Sequence, residues 1–234
     1  MDWKEYFNQH PTNFEETDFL QQMGKTVSGK SITPEQFEAQ IASIIDALEI
    51  QKNDLVLDLC CGNGVITTRI STYCSSIVGI DFSDTLINLA NKYNKPANTF
   101  YDCMSITDEN MKNISKELFT KVYMYEALQH FPEEDIPKIL NLLKGITTPN
   151  SVIFIGGIPD KDRIWDFYDT EERRKDYFYR KSIDQEAIGV WWQQSEIKKV
   201  CLDNGFDCKV LPQNAILHSA HYRFDIRLTQ RTGF

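Results

Sequence analysis

Residues 54–64 read Asp54-Leu55-Val56-Leu57-Asp58-Leu59-Cys60-Cys61-Gly62-Asn63-Gly64. The pattern predicts an apolar strand that ends at Asp58, a turn through two glycines, and a helix that begins near Val65. A glycine turn between a strand and a helix lets a ligand approach the backbone closely. A second apolar run ends at Asp81, 23 residues after Asp58, where a carboxylate can accept hydrogen bonds from both hydroxyls of a ribose.

The glycines do not match the dinucleotide-binding motif. That motif, G-x-G-x-x-G, needs glycines at three positions. In this stretch Cys60 and Thr67 occupy the outer two. Asp58 also disfavours a diphosphate, because phosphate binding requires a helix N-terminus without negative charge nearby. A ligand with a cationic end fits better, and S-adenosylmethionine has adenine, ribose, a sulfonium and an ammonium but no phosphate. The stretch resembles the first two motifs of class I S-adenosylmethionine-dependent methyltransferases.

The composition argues against several other classes of protein. With 234 residues, 41% of them hydrophobic, the chain can form one sizeable core. Its net charge of −9 disfavours a nucleic-acid surface, which needs clustered Lys and Arg. No apolar run approaches the roughly 20 residues of a membrane span, and the acidic, aromatic start lacks the layout of a signal peptide. We therefore expect no nucleic-acid and no membrane partner.

The six cysteines indicate neither a disulfide framework nor a zinc site. None of them forms a C-x-x-C pair, and four lie in or beside apolar runs. We therefore predict no metal ion, and a reducing cytoplasm as the compartment. The cysteines are Cys60, Cys61, Cys74, Cys103, Cys201 and Cys208.

Strands and helices alternate along most of the chain, which predicts βαβ units and a parallel sheet. A first helix follows a capping box in which Thr33 is the N-cap and Gln36 its partner. The predicted strands are 55–60, 76–81, 98–102, 119–125, 151–157, 206–211 and 221–229. Further helices are predicted at about 64–74, 84–93, 108–117, 133–145 and 193–204. No helix separates the last two strands, so they should pair antiparallel at one edge.

The methyltransferase resemblance implies an α/β fold for the whole chain. It implies a doubly wound, mostly parallel seven-stranded sheet with helices on both faces and an antiparallel last strand. A helical cap precedes the sheet and an insertion follows strand five. We expect one domain over 1–234, with a cap or lid at 1–50, a cofactor-binding half at 51–157, an acceptor-side insertion at 158–192 and a C-terminal helix and strand pair at 193–234.

The resemblance also implies which residues hold the cofactor. It assigns Asp58 and the turn after it to the methionine end and the ribose, and Asp81 to the ribose hydroxyls. Phe82 is predicted to stack on adenine or to pack in the core, and Ser83 to contact the cofactor or to cap the next helix. The members of the turn are Cys60, where glycine is commoner in the family, Cys61, Gly62 and Gly64.

Two later strand ends complete the predicted cofactor site. Asp102 matches the acid of the family that contacts adenine, with the backbone N–H of Cys103 beside it, and Met104 follows; a solvent-exposed turn is the alternative. Tyr125 ends strand four, in a segment that resembles the one beneath the sulfonium. The predicted cofactor is S-adenosylmethionine, and its product is S-adenosylhomocysteine.

A general base is useful where the methyl acceptor is a hydroxyl or a protonated amine. The candidates are Glu126, His130 and His221, and Glu126 is favoured because it follows strand four directly. His130 can equally cap or pack. His221 can form a polar wall with His218 or lie at a solvated edge.

The acceptor itself is predicted only as a small molecule, methylated on oxygen or nitrogen. Segments 22–30 and 221–225 are loosely similar to methyltransferases of bacterial surface-polysaccharide pathways, which implies a sugar-like acceptor. Four arginines in the insertion permit an anionic acceptor or form a solvated helix face: Arg163, Arg173, Arg174 and Arg180. The alternatives are a non-catalytic S-adenosylmethionine-binding module and a nucleotide-dependent oxidoreductase. A monomer or a homodimer is expected.

Overall fold

The protein is described by a computed structural model, which covers residues 2–231. Seven strands form one sheet in the order β5-β4-β3-β6-β7-β9-β8. All neighbours pair parallel except β9, which runs antiparallel to both β7 and β8. The predicted seven-stranded, mostly parallel sheet with an antiparallel last strand is therefore confirmed.

The strands of this sheet and of a small N-terminal hairpin are β1 (Thr26–Val27), β2 (Lys30–Ser31), β3 (Leu55–Leu59), β4 (Ser76–Asp81), β5 (Thr99–Cys103), β6 (Phe119–Tyr125), β7 (Thr147–Pro159), β8 (Phe206–Pro212) and β9 (Arg223–Gln230). The helices are α1 (Trp3–Gln9), α2 (Phe19–Gln22), α3 (Pro34–Leu48), α4 (Val65–Ile70), α5 (Asp84–Tyr93), α6 (Ile136–Ile146), α7 (Ile164–Phe167), α8 (Glu171–Ser182) and α9 (Gln194–Asp203).

Alternate side chains of the strands pack into two separate cores, one on each face of the sheet. Along β6, Val122 and Met124 belong to the core that α6 and α9 cover. Tyr123 and Tyr125 belong to the core that α3 and α4 cover. Because successive side chains of a strand point to opposite faces, this pattern explains how helices pack on both sides of the sheet.

Local sequence signals set the start of two of these helices. Thr33 caps α3 in the predicted capping box, accepting a hydrogen bond from the Gln36 backbone N–H at 3.3 Å. The helix predicted to start at 133 begins instead at Ile136, because Pro137 occupies its first turn and a 3-10 turn, Glu133–Asp135, precedes it.

The helix predicted over 108–117 is wrong. This segment contains only a short 3-10 helix, Glu109–Asn113. Asp108 accepts from the Asn110 backbone N–H at 2.8 Å, and Ser115 accepts from that of Glu117 at 3.1 Å. Such local hydrogen bonds compete with a regular helix. Only Met111 of the 3-10 helix is buried, so there is no apolar face that packing could stabilise.

The order of the strands places a crevice between β3 and β6. The chain builds outward from β3 to β4 and β5, and then returns to the other side of β3 with β6. Ligands of open α/β sheets bind outside the carboxyl ends of the strands at such a switch point. Because β9 is antiparallel and pairs Arg223 with Pro159 at the end of β7, its first residue lies at this same edge.

Candidate active site

A cavity of about 310 Å³ lies at the carboxyl edge of the sheet. One part, here called the β3–β4 side, is lined by Asp58, Cys60, Cys61, Asp81 and Phe82. The other, the β6–β9 side, is lined by Tyr125, Glu126, Gln129, His130, His218, Tyr222 and Arg223. Lys25 from the N-terminal segment and Phe167 and Ile188 from the insertion also line the cavity.

Asp58 is a buried carboxylate that accepts from two hydroxyls and forms no ion pair among residues 2–231. Thr67 Oγ1 and Tyr123 Oη both donate to Asp58 Oδ2, each at 2.5 Å. Burial raises the pKa of Asp58 to about 7, although the two hydroxyls act in the opposite direction. The carboxylate is therefore poised to ionise fully when a cationic group of a ligand approaches.

Asp81 ties the glycine turn to the next helix. Its carboxylate accepts from the backbone N–H of Gly62 and from that of Ser83, each at 2.9 Å. Burial raises the pKa of Asp81, while the N–H donors of Ser83 and Gly62 lower it. Each carboxylate oxygen has a lone pair left, so the side chain can still accept from a ligand.

The turn after β3 has the backbone of a ligand-binding loop. Cys60 has φ 61°, in the left-handed region that favours glycine, which is the residue expected there from the family. Gly62 has φ 55°, and a Cβ built on it would lie 2.2 Å from Met23 Cε. Burial raises the pKa values of the Cys60 and Cys61 thiols well above their usual range, so neither is an activated nucleophile.

This β3–β4 side fits the chemistry of S-adenosylmethionine. Asp58 offers a carboxylate to a cationic group, Asp81 offers one to a diol, and Phe82 offers an aromatic face. Phosphate would instead meet two buried carboxylates, which repel it. Among residues 2–231, no group of three or more His, Cys, Asp and Glu side chains is arranged to hold a metal ion.

Some residues predicted for the cofactor do not line the cavity. Ser83 is fully buried, where its hydroxyl caps α5 and donates to the backbone oxygen of Phe7 at 2.9 Å. Gly62 and Gly64 form the turn after β3 and do not line the cavity. Asp102 and Cys103 are exposed at the end of β5, and Met104 follows them half-buried.

Glu126 is held in an ion pair with a residue that the sequence analysis did not single out. Lys25 Nζ lies 2.6 Å from Glu126 Oε2, and the two side chains are 5% and 18% exposed. Burial raises the pKa of Glu126, but Lys25 and Arg223 outweigh it and bring the pKa to about 2. Such a carboxylate is a permanent negative charge and a weak base.

The two histidines predicted as candidate bases have different surroundings. His130 lines the cavity beneath Trp3, with 4.1 Å between the ring centroids, and its Nδ1 has no hydrogen-bond partner. Burial lowers the pKa of His130 to about 3, so its imidazole is neutral at physiological pH. His221 is exposed and packs against Tyr222 outside the cavity, whereas its neighbour His218 lines it.

A bulge in β7 brings Arg223 to the β6–β9 side of the cavity. The pairing of β7 with β9 shifts between Ile155 and Ile158. Within the bulge, Gly157 has φ 74°, and a Cβ there would lie 2.4 Å from Glu126 Cγ, so the close approach requires glycine. The Gly157 carbonyl accepts from Arg223 Nη1.

The four arginines of the insertion lie elsewhere. Arg173 and Arg180 form ion pairs of 2.9 Å and 2.7 Å with Asp169 and Asp176 on exposed parts of the protein. Arg163 pairs with Asp160. None of the four lines the cavity. The buried cations that line the cavity are instead Lys25 and Arg223.

The N-terminal segment covers the β3–β4 side of the cavity. Asn63 Nδ2, in the glycine turn, donates to Gln22 Oε1 at 2.8 Å. Trp3 and Phe7 pack on His130, and Phe7 also packs on Phe82. The segment therefore closes the cavity through side chains that touch both of its sides.

Comparisons with known proteins agree with this geometry. A family model described as a methyltransferase domain matches residues 56–150. The ubiquinone biosynthesis O-methyltransferase of Pseudomonas aeruginosa is 23% identical over 154 residues, which are 62% of this chain and 66% of that protein. Its counterpart in Pasteurella multocida is 27% identical over 47% of this chain and 48% of that protein. The chain thus spans less than two thirds of the length of these curated relatives.

Solved structures share the whole fold. A SAM-dependent methyltransferase from Anabaena variabilis has a TM-score of 0.68 at 18% identity, over 98% of this chain and 93% of that one. The DhpI–SAH complex has a TM-score of 0.62 at 13% identity, over 97% of this chain and 95% of that one.

The fold and the matched segment together define the class. Residues 56–150 match a methyltransferase domain, and the chain has the fold seen in S-adenosylmethionine-dependent methyltransferases. These findings support the class of protein and the cofactor predicted from the sequence. Among residues 2–231, every helix is too short or too polar to reach across a membrane.

Proposed function

We propose that the protein transfers the methyl group of S-adenosylmethionine to a small-molecule acceptor within this cavity. The observation that carries the proposal is the pairing of two sides in one cavity. The β3–β4 side offers Asp58 and Asp81 to a cationic nucleoside, and the β6–β9 side offers buried polar groups to a second molecule.

Each residue has a distinct proposed task. Asp81 accepts hydrogen bonds from the ribose, Asp58 and the turn over 60–64 hold the methionine end, and Phe82 lies along the adenine. Tyr125 faces the methyl group. The cofactor supplies an electrophilic methyl group, so the protein has to align the acceptor with it and exclude water.

The proposed transfer depends little on a general base. Glu126 has a pKa of about 2 and His130 one of about 3, so both are weak proton acceptors. His221 is exposed outside the cavity. These observations favour positioning over proton abstraction, and Glu126 and His130 then act as a fixed charge and a neutral wall of the acceptor site.

The nature of the acceptor is inferred from the curated relatives. The ubiquinone biosynthesis relatives support a small organic molecule and O-methylation. A sugar-like acceptor, a cytoplasmic location, the absence of nucleic acid and a monomer or homodimer stay predictions from the sequence.

Titration calorimetry with S-adenosylmethionine, S-adenosylhomocysteine and NAD tests the proposal. We expect both adenosyl ligands to bind and NAD not to. Binding of NAD alone would favour the oxidoreductase alternative. Turnover with a panel of small-molecule acceptors then distinguishes an enzyme from a binding module, because only an enzyme converts S-adenosylmethionine to S-adenosylhomocysteine in the presence of one of them.

A further inference from the structure

Arg223 is a buried cation that donates a hydrogen bond to a neutral group. The residue is 7% exposed, and it lines the β6–β9 side of the cavity. Its Nη1 donates to the neutral Gly157 carbonyl, and its guanidinium carbon lies 5.2 Å from the centroid of the Tyr222 ring. Its Nε is buried and has no hydrogen-bond partner, and no carboxylate of residues 2–231 forms an ion pair with it.

Glu126 and Asp225 lie close enough to interact electrostatically with Arg223, but each is bonded to other groups. Lys25 and Arg223 both line the cavity, and Glu126 is the carboxylate that lines its β6–β9 side. Lys25 takes that carboxylate at 2.6 Å. Asp225, on the same strand as Arg223, is bound instead by the Gly157 N–H at 2.8 Å and by Gln213 at 3.0 Å. A buried charge that lacks a partner is unfavourable, so a ligand that supplies an anion there gains affinity.

Other unpaired polar atoms surround the same space. Tyr125 Oη, Gln129 Oε1, His130 Nδ1 and His218 Nδ1 are buried without partners, and all four residues line the cavity. Apolar groups complete the wall: Phe167 packs on Tyr222 with 4.7 Å between ring centroids, and Ile188 joins them from the insertion. The site therefore suits a molecule with a polar head and an apolar body.

We propose that the acceptor carries an organic oxyanion, a carboxylate or a phosphonate on an apolar body, and that Arg223 binds this group. The proposal rests on the proposed function, since it assigns the second molecule of the same cavity. The planar guanidinium can donate two parallel hydrogen bonds to either oxyanion, which a lysine cannot. Tyr222 and Phe167 then contact the apolar body.

The test uses benzoate, phenylphosphonate and neutral benzamide as probes, titrated into the protein saturated with S-adenosylhomocysteine. We expect at least one of the two anions to bind at least tenfold more tightly than benzamide. The ratio between benzoate and phenylphosphonate tells which oxyanion the site prefers. Anions that bind no better than benzamide would overturn the proposal, while tight binding of S-adenosylhomocysteine in the same protein would leave the proposed function intact.

Two variants with opposite expected effects sharpen the test. Arg223→Gln should weaken the binding of the preferred anion at least tenfold and leave that of benzamide unchanged, and Arg223→Lys should recover part of it. Glu126→Gln removes the negative charge of the wall and should strengthen anion binding. Arg180→Gln, in an exposed ion pair with Asp176, is the control that should change nothing.

Failure of Arg223→Gln to fold would leave the wild-type comparison of anion with benzamide, and the Glu126→Gln variant, as the deciding measurements. Equal anion affinity in the wild type, Arg223→Gln and Glu126→Gln would show that the guanidinium does not bind the oxyanion.

Discussion

Two carboxylates of one cavity have opposite acid–base character because their neighbours differ. Asp58 has only hydroxyl donors, and its pKa rises to about 7. Glu126 has Lys25 at 2.6 Å and Arg223 nearby, and its pKa falls to about 2. A cationic ligand is needed to ionise Asp58 fully at neutral pH, whereas Glu126 is ionised in the protein alone. Asp58 therefore suits the binding of a cationic cofactor, and Glu126 suits the role of a fixed negative charge in the cavity wall.

Replacing Asp81 by Asn should weaken both S-adenosylmethionine and S-adenosylhomocysteine. The charge-assisted hydrogen bonds to the ribose are lost, which costs about 1.5–3 kcal/mol, or roughly ten- to a hundredfold in affinity. Asn keeps an acceptor for only one of the Gly62 and Ser83 N–H groups, so denaturant unfolding of the variant is compared with that of the wild type to check that the turn stays folded. Titration calorimetry measures the change, with Asp46→Asn on the exposed side of α3 as the control. Unchanged affinity would remove Asp81 from the ribose site.

Replacing Glu126 by Gln should affect stability more than the chemical step. Removing one partner of a buried ion pair typically costs about 3–5 kcal/mol, so denaturant unfolding should show a loss of that order, discounted because Glu126 is partly exposed. We expect kcat to change less than about tenfold. A fall of about 10²–10⁴ in kcat would instead identify Glu126 as a general base for a hydroxyl acceptor.

The double variant Lys25→Met with Glu126→Gln is the matched control for this prediction. It removes both charges, so it should recover much of the stability that Glu126→Gln loses. No recovery would mean that the loss comes from packing rather than from an unpaired Lys25.

The sequence could predict the residues whose position a strand fixes. Asp58, Asp81 and Glu126 follow apolar runs, and parallel strands carry their ends to one edge of the sheet. It could not pair Lys25 with Glu126, because 101 residues separate them and Lys25 lies in a short turn between α2 and β1. Arg223 was visible in the last strand, but its burial depends on the bulge at Gly157, which leaves no periodic signal.

Elements with a strong hydrophobic periodicity or a clear capping signal were predicted well, and elements without one were not. The alternation of β4 and the capping box of α3 are local, so the sequence contains them. The 3-10 helix at Glu109–Asn113 depends on local side-chain hydrogen bonds that leave no period, and the N-terminal segment over 2–31 depends on side chains that reach other parts of the chain. Ser83 with Phe7 and Asn63 with Gln22 are examples of such long-range contacts.

We expect the N-terminal segment and the insertion at 158–190 to act as a lid. Side-chain hydrogen bonds rather than the ladder of the seven-stranded sheet hold the N-terminal segment in place, as between Ser83 and Phe7, so both segments should exchange amide hydrogens faster than β3 or β6 in the free protein. Cofactor together with a bound acceptor or benzoate should slow that exchange. Hydrogen exchange read by mass spectrometry checks this, with β7 as the internal control. Exchange that is equally slow there in the free protein would contradict a lid.

The stability of the whole molecule combines buried groups whose titrations oppose one another. Asp58 has a folded pKa of about 7, above its ordinary 3.8, so the folded protein holds a proton that the unfolded chain has released. Its contribution therefore falls as pH rises from about 4 to 7. His130 has a folded pKa of about 3, below its ordinary 6.5, so its contribution rises with pH between those values. Over the range that they share, the two effects offset each other.

Two variants should separate these opposing contributions. Asn at position 58 and Gln at position 130 do not titrate. Each variant therefore loses one of the two contributions to the pH dependence of the free energy of unfolding. Relative to the wild type, Asp58→Asn should gain free energy of unfolding as pH rises from 4.5 to 7 and then level off. His130→Gln should lose it up to about pH 6.5. Each unit of pKa shift is worth about 1.4 kcal/mol, so each difference should reach a few kcal/mol. Urea unfolding of the cofactor-free protein at several pH values measures both, and parallel curves for all three proteins would mean that neither pKa is shifted.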